Sequence, residues 1–191
     1  MKRFCLLIVL LSVVPFASAG DWPGWRGPNG NGVADGTGYP VSWTPEDVSW
    51  EYDLPGLGAS TPAVFSGDIF LTYTKDGKNV AACLDMQGKE KWSQELNASI
   101  DGKHKDGTGA NPSPVVSEDG VFVFFKSGDF GCFSLAGEKK WSVNVFEKFA
   151  KVTSKTLWWD LGTSPVLTSN AVVITLMHSG PSYLALSLIH I

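Results

Sequence analysis

The chain has 191 residues, 43% of them hydrophobic, with 15 basic and 19 acidic side chains and a net charge of −4. Setting aside Lys2 and Arg3, which belong to the start of the chain discussed next, leaves 13 basic against 19 acidic side chains, a net −6. That balance excludes a general nucleic-acid or anionic-membrane surface, and its even spread reads as a solubility property.

Residues 1–19 read as a secretory signal peptide. Lys2 and Arg3 form a basic start, Phe4 to Val14 an apolar run, and Ala17-Ser18-Ala19 a small-x-small cleavage site. The apolar run is too short to span a bilayer, and no later segment is long and apolar enough. No cysteine stands at the cleavage point, so the expected destination is periplasmic or secreted without a lipid anchor. Residues 20–57 form a leader. Its stretch DWPGWRGPNGNGV, Asp21 to Val33, is rich in Gly and Pro and reads first as a wrapped connection. Arg26 and Asn29 in it are candidate contacts for an anion or a saccharide. Trp50 opens the segment WEYDL, which has the form of the outer strand of a preceding or closing unit.

Three related units follow, at about 58–97, 110–146 and 162–185. Each opens on a small residue and a proline: STPAVFSGDIFLTY, PSPVVSEDGVFVFF and TSPVLTSNAVVITL. Each then reads strand, turn, strand, from β-branched and aromatic runs broken by Gly, Asn and Asp. In the first two units a third strand ends at a turn with Gly88 or Gly137, and a fourth carries Trp92 or Trp141. Cys83, Gly88 and Trp92 recur at a constant offset of 49 as Cys132, Gly137 and Trp141. Four antiparallel strands in repeats of about 50 residues point to an all-β fold, a β-propeller of four-stranded blades. A β-sandwich leaves the constant register unexplained, and the helical period is missing except in Val145 to Trp159, read as an inter-blade loop with one short helix.

Within this architecture the tryptophans are expected to dock between blades, over the glycine turn of their own or a neighbouring unit. Cys83 and Cys132 occupy equivalent places in successive units, which are usually further apart than the roughly 7 Å a disulfide allows. They read as small buried hydrophobes rather than a bridge. Propellers typically use four to eight blades, so about three blades make an incomplete, C-terminally truncated ring. The last six residues, Leu186 to Ile191, fit no repeat and resemble an in-frame translation of a sequencing adaptor; His190 is given no functional weight.

The strand ending Asp85, with Gly88 and Trp92, resembles the quinoprotein propeller repeat, in which Ala-x-Asp is followed by a Thr-Gly turn and a Trp. Cys83 and Gln87 depart from that pattern, and Ser134 stands for the Asp in the second copy. The leader is similar to that of exported bacterial propellers of the PQQ-binding-like or BamB-like group. The resemblance implies a quinoprotein-like propeller in which Asp85, Gly88, Trp92, Gly137, Trp141 and Trp50 hold blades together. It does not establish a cofactor. The PQQ dehydrogenases of the group hold quinone and calcium on the axis through an acidic residue, Asn and Asp, under a disulfide of adjacent cysteines. This sequence has no Cys-Cys pair and no matching ligand cluster, so no cofactor and no metal are expected.

Few residues are candidates for chemistry. His104 lies in the polar loop DGKHKDGTG and His178 in MHSG; neither has a nucleophile beside it that would make a triad. Trp158, Trp159 and Asp160 precede the innermost strand of the third unit, where loops rim a propeller's channel. They join His104, Arg26 and Asn29 as candidate rim contacts. Asn97-Ala98-Ser99 matches a glycosylation sequon. The function expected is a non-catalytic scaffold that binds a protein or carbohydrate partner at its rim. The alternative is a PQQ- and calcium-dependent alcohol or sugar dehydrogenase.

Overall fold

The computed structural model describes residues 20–34, 36–149, 152, 160–179 and 182–189. Three antiparallel sheets follow one another along the chain. The first contains β1 (Ala63–Phe65), β2 (Asp68–Lys75), β3 (Lys78–Asp85) and β4 (Glu90–Ala98), in that spatial order. The second repeats the order with β5 (Val115–Ser117), β6 (Gly120–Phe124), β7 (Asp129–Phe133) and β8 (Lys139–Asn144). The third has β9 (Val166–Leu167), β10 (Ala171–Leu176) and β11 (Tyr183–Leu188). A single helical turn, α1 (Val145–Phe149), lies between the second and third sheets. The third sheet has no outer strand among the described residues, and β11 continues past the expected Ala185 boundary, pairing Leu186, Ser187 and Leu188 with β10.

Turn chemistry sets the register. Ser66-Gly67 and Asp76-Gly77 join β1–β2 and β2–β3 with positive φ at both positions, the geometry that matches strand twist in a two-residue hairpin. The β3–β4 turn is tight. Asp85 Oδ1 accepts N–H bonds from Gln87 and Lys89, both 2.9 Å, and the turn closes with Gly88 N–H to Asp85 O at 3.0 Å. Glu90 and Lys91 therefore belong to β4 rather than to the turn, and Trp92 sits within the strand. In the second unit Ser134 Oγ accepts from Glu138 N–H at 3.0 Å, so the hydroxyl substitutes for the carboxylate with one bond fewer.

The core lies between the sheets. Ala63, Phe70, Ala81 and Cys83 of the first meet Val116, Val121, Val123, Phe125 and Phe133 of the second. Phe122, Phe124, Phe130 and Cys132 meet Val172, Ile174 and Leu176 of the third. Alternate side chains of β6 thus face opposite neighbours, which is why Gly120–Phe124 is apolar without interruption and buried throughout. The cysteines are free and buried, and burial pushes their thiols up to about 12 for Cys83 and about 11 for Cys132. They act as small apolar side chains, each opposite its unit's tryptophan: Cys83 beside Trp92 and Cys132 beside Trp141.

Trp92 docks on the next unit. Its indole N–H donates to Leu135 O at 3.0 Å, and its ring packs beside Phe70 and Phe133, each at 6.1 Å between centroids. A Cβ on Gly137 would stand 2.7 Å from that ring, and Gly137 holds φ +90°. Both the space and the backbone require glycine. Gly137→Ala is expected to cost about 1–3 kcal/mol through overpacking and strain, read from urea unfolding. A change within about 0.5 kcal/mol would place the ring elsewhere.

A second link runs along the innermost strands. Thr61 N–H donates to Ser113 Oγ, and Ser113 N–H to Ser164 Oγ, both at 2.9 Å. These residues stand immediately before Pro62, Pro114 and Pro165. A residue preceding proline is held extended, so each donor is presented sideways to the neighbouring unit.

Candidate functional site

The end of the array opposite the glycine turns carries most of the buried polar groups. Lys126, in the β6–β7 connection, is 1% exposed and forms an ion pair with Asp160, whose side chain is 10% exposed. Its ammonium also donates to Asp101 O at 2.5 Å. Asp160 accepts further N–H bonds from Lys103 at 2.8 Å and His104 at 2.8 Å. Burial raises the Asp160 carboxyl's affinity for its proton, but the Lys126 ammonium and the His104 and Lys103 N–H groups outweigh it and hold the pKa below the usual aspartate value. The carboxylate therefore fastens the 101–107 loop to the second and third units. Its oxygens are committed to partners within the chain. His104 contributes its backbone to this fastening; its ring is exposed, with Nδ1 3.3 Å from Asp106 N. Trp158 and Trp159 lie outside the described residues.

A second polar knot sits between the first two units. Asp129 is buried and accepts from Asn79 Nδ2 and Ser127 Oγ at 2.8 Å, Asn97 Nδ2 at 2.9 Å and Asn144 Nδ2 at 3.1 Å. The sequon asparagine thus spends its amide on a structural carboxylate. Neither Lys126 nor Asp129 stands out in the sequence, where Lys126-Ser127-Gly128-Asp129 reads as a polar turn. The usable signal is position: these residues fall between the two most apolar strands of the second unit.

The leader builds a different kind of place. It lies along the first two units, with Trp22 and Val64 exchanging N–H bonds at 2.8 Å and Val116 N–H donating to Pro23 O at 2.8 Å. Beyond these anchors it encloses a groove of about 550 Å³ lined by Trp25, Arg26, Asn29, Val115, Val116 and Pro165, among others. Trp25 is 58% exposed, and the Arg26 guanidinium lies 5.6 Å from its ring centroid. Arg26 has φ +68°, an uncommon conformation for a residue with a side chain, and donates to Asn31 O at 3.3 Å. It makes no ion pair among the described residues. Two of the candidates, Arg26 and Asn29, are thus brought together, while Asp160 and His104 join the fastening elsewhere. Trp25 was not legible as a member, since aromatic residues in this leader read equally as packing.

His178 lines a separate hollow of about 390 Å³ with Asp160, Thr163, Ser179 and Ser182. Both of its ring nitrogens, and the hydroxyl of Tyr183 beside it, are buried without a hydrogen-bond partner. Among the described residues no Ser or Cys nucleophile is bonded to it.

Comparison with known proteins agrees with the architecture. The chain superposes on quinohemoprotein alcohol dehydrogenase from Comamonas testosteroni with a TM-score of 0.53 and 18% identity, over 74% of this chain and 21% of that one. The fold is that of a quinoprotein-type β-propeller. A europium-containing methanol dehydrogenase gives a TM-score of 0.50 at 12% identity, over 72% of this chain and 23% of the other. The propeller segment described here spans about a fifth of the length of these structures. No protein-family profile matches the sequence, and no curated protein does. No helix among the described residues is long and apolar enough to cross a membrane.

Calcium with a quinone calls for oxygen ligands that are not already taken up by donors. Asp160 and Asp129 are each enclosed by ammonium, amide or hydroxyl donors, an environment built to hold an anion rather than a cation. No three His, Cys, Asp or Glu residues converge among the described residues. Asp129 and Asp160, so enclosed, are not available as calcium ligands.

Proposed function

We propose that this quinoprotein-type propeller is an exported, non-catalytic scaffold that binds a carbohydrate in the leader groove. One observation carries the reading: an exposed Trp25 ring, with the Arg26 guanidinium beside it and Asn29 on the same wall, borders a groove of about 550 Å³. That volume lies within the usual range for small-ligand sites, roughly 300–1,000 Å³. An indole face takes the apolar face of a sugar ring, the guanidinium pairs with acidic or hydroxyl oxygens in two-pronged fashion, and the amide adds polar contacts. A groove of this size suits two or three sugar units better than a protein surface, which needs about 800 Å² on each side.

Titration calorimetry with short neutral and uronic-acid oligosaccharides tests this. Binding is expected, with Trp25→Ala and Arg26→Ala each weakening it at least tenfold while leaving unfolding midpoints unchanged. Absence of binding to every probe would reject the carbohydrate reading. The second reading is a quinoprotein dehydrogenase, favoured by the names of the structural neighbours. Robust alcohol or sugar oxidation on adding PQQ and calcium would replace the scaffold with it.

A further inference from the structure

The leader meets the innermost strands at positions set by the repeat. Val64, Val116 and Leu167 each stand two residues after their unit's proline, Pro62, Pro114 and Pro165. In an antiparallel pair, successive residues turn their N–H and C=O alternately toward and away from the partner strand. Thr168 N–H donates to Ala171 O at 2.8 Å, and Val166 lies opposite Val173. Leu167, between them, therefore turns its N–H and C=O away from β10, toward the inner edge of β9. Val64 and Val116 present theirs at the same edge of β1 and β5, and there the leader takes them. Val64 N–H donates to Trp22 O and Val116 N–H to Pro23 O, both at 2.8 Å, and Trp22 N–H donates back to Val64 O at 2.8 Å.

The leader does not take the third position. Gly24 passes close over β5, where a Cβ would stand 2.9 Å from Val115. The chain then reverses. Arg26 and Gly27 both hold positive φ, and Gly27 N–H closes on Gly24 O at 3.0 Å. Gly27 lies bare under the Trp22 ring, which a Cβ would meet at 2.7 Å. The groove lies between this reversal, with Trp25 and Arg26, and Pro165, Val166 and Leu167 of the third unit. Leu167 N–H has no partner among the described residues. The groove thus holds an open main-chain donor at the place where the first two units receive an amide carbonyl.

On the footing that this groove is a carbohydrate site, we propose that it selects an N-acetylated sugar, whose acetamido oxygen accepts from Leu167 N–H. An acetamido carbonyl is the same kind of acceptor as the peptide carbonyls of Trp22 and Pro23. A neighbouring ring hydroxyl donates to Leu167 O, as Trp22 N–H donates to Val64 O. The selection comes from the cost of the wrong ligand: a sugar without the carbonyl would cover Leu167 N–H and leave it unpaired.

Titration calorimetry on the full chain compares chitotriose, the N-acetylated trimer, with cellotriose, which carries hydroxyls in place of the acetamido groups. Chitotriose is expected to bind roughly tenfold more tightly or better. Leu167→Pro deletes the N–H at a strand-edge position, where proline is tolerated, and should erase that preference. Equal binding of the two sugars by the parent would overturn the selection and leave the carbohydrate site standing. So would a preference that survives in a Leu167→Pro variant whose unfolding midpoint matches the parent. Binding of neither sugar would remove both readings, and tighter binding of trialanine would assign the edge to an extended peptide instead. Hydrogen exchange in the parent keeps the test open if Leu167→Pro does not fold. Saturating chitotriose should slow the Leu167 amide roughly tenfold more than saturating cellotriose does, and equal slowing would overturn the proposal.

Discussion

Trp92→Ala is expected to lower the unfolding free energy by about 3 kcal/mol, the lower end of the range for removing a large aromatic side chain. Three losses combine. The ring stops covering Phe70 and Phe133. Leu135 O loses the indole N–H. Gly137, kept bare to receive the ring, faces a cavity instead. The lower end applies because Trp92 is only partly buried. Denaturant titration of the parent and the variant measures this. A difference below about 1 kcal/mol would mean that the ring does not hold the two units together. Trp92→Phe should recover part of the loss but not the hydrogen bond.

Lys126→Met is the second large effect, expected to cost about 3–5 kcal/mol because it leaves a buried carboxylate without its counter-charge. The double change Lys126→Met with Asp160→Asn should cost clearly less than the single one, since the amide oxygen still accepts from Lys103 and His104 and no charge is stranded. Equal costs would mean that the pair is not coupled. The pH dependence has a definite sign. The folded-state pKa of Asp160 lies below the ordinary 3.8, so its stabilisation is fully present above that value. It is lost as pH falls from there through the folded pKa. The stability gap between the parent and Asp160→Asn should therefore be constant from pH 7 to about 5 and shrink below about 4.

The two predictions also mark what the sequence does and does not disclose. The 49-residue offset of Cys, Gly and Trp is legible because a repeated packing device needs the same residue types at the same spacing, and the turns at Gly88 and Gly137 follow from it. The partner of each tryptophan is not legible. An offset identifies equivalent positions without saying whether a ring covers its own unit's glycine or the next one's. The Lys126–Asp160 pair is hidden for a different reason. The two residues are 34 positions apart in two different units, and each alone reads as an ordinary polar residue in a connection. Asp160 reads as a candidate rim contact, and the structure adds a role the sequence does not disclose: its oxygens accept from Lys126, Lys103 and His104. Arg26 and Asn29 come out the other way: a glycine-rich leader that reads as a wrapped connection also forms one wall of a groove.

The links between units all point the same way. Trp50 and Trp92 reach forward to Gly88 and Gly137, and Thr61 and Ser113 donate forward to Ser113 and Ser164. A ribosome delivers the chain in that same order. Trp92 is thus synthesised with no seat, and stays wet until 45 more residues have brought Gly137 out. At roughly 5–20 residues per second, each blade spends seconds with its outer indole uncovered before its successor arrives. Assembly along the chain is therefore a relay in which a finished blade remains adhesive until its successor is in place.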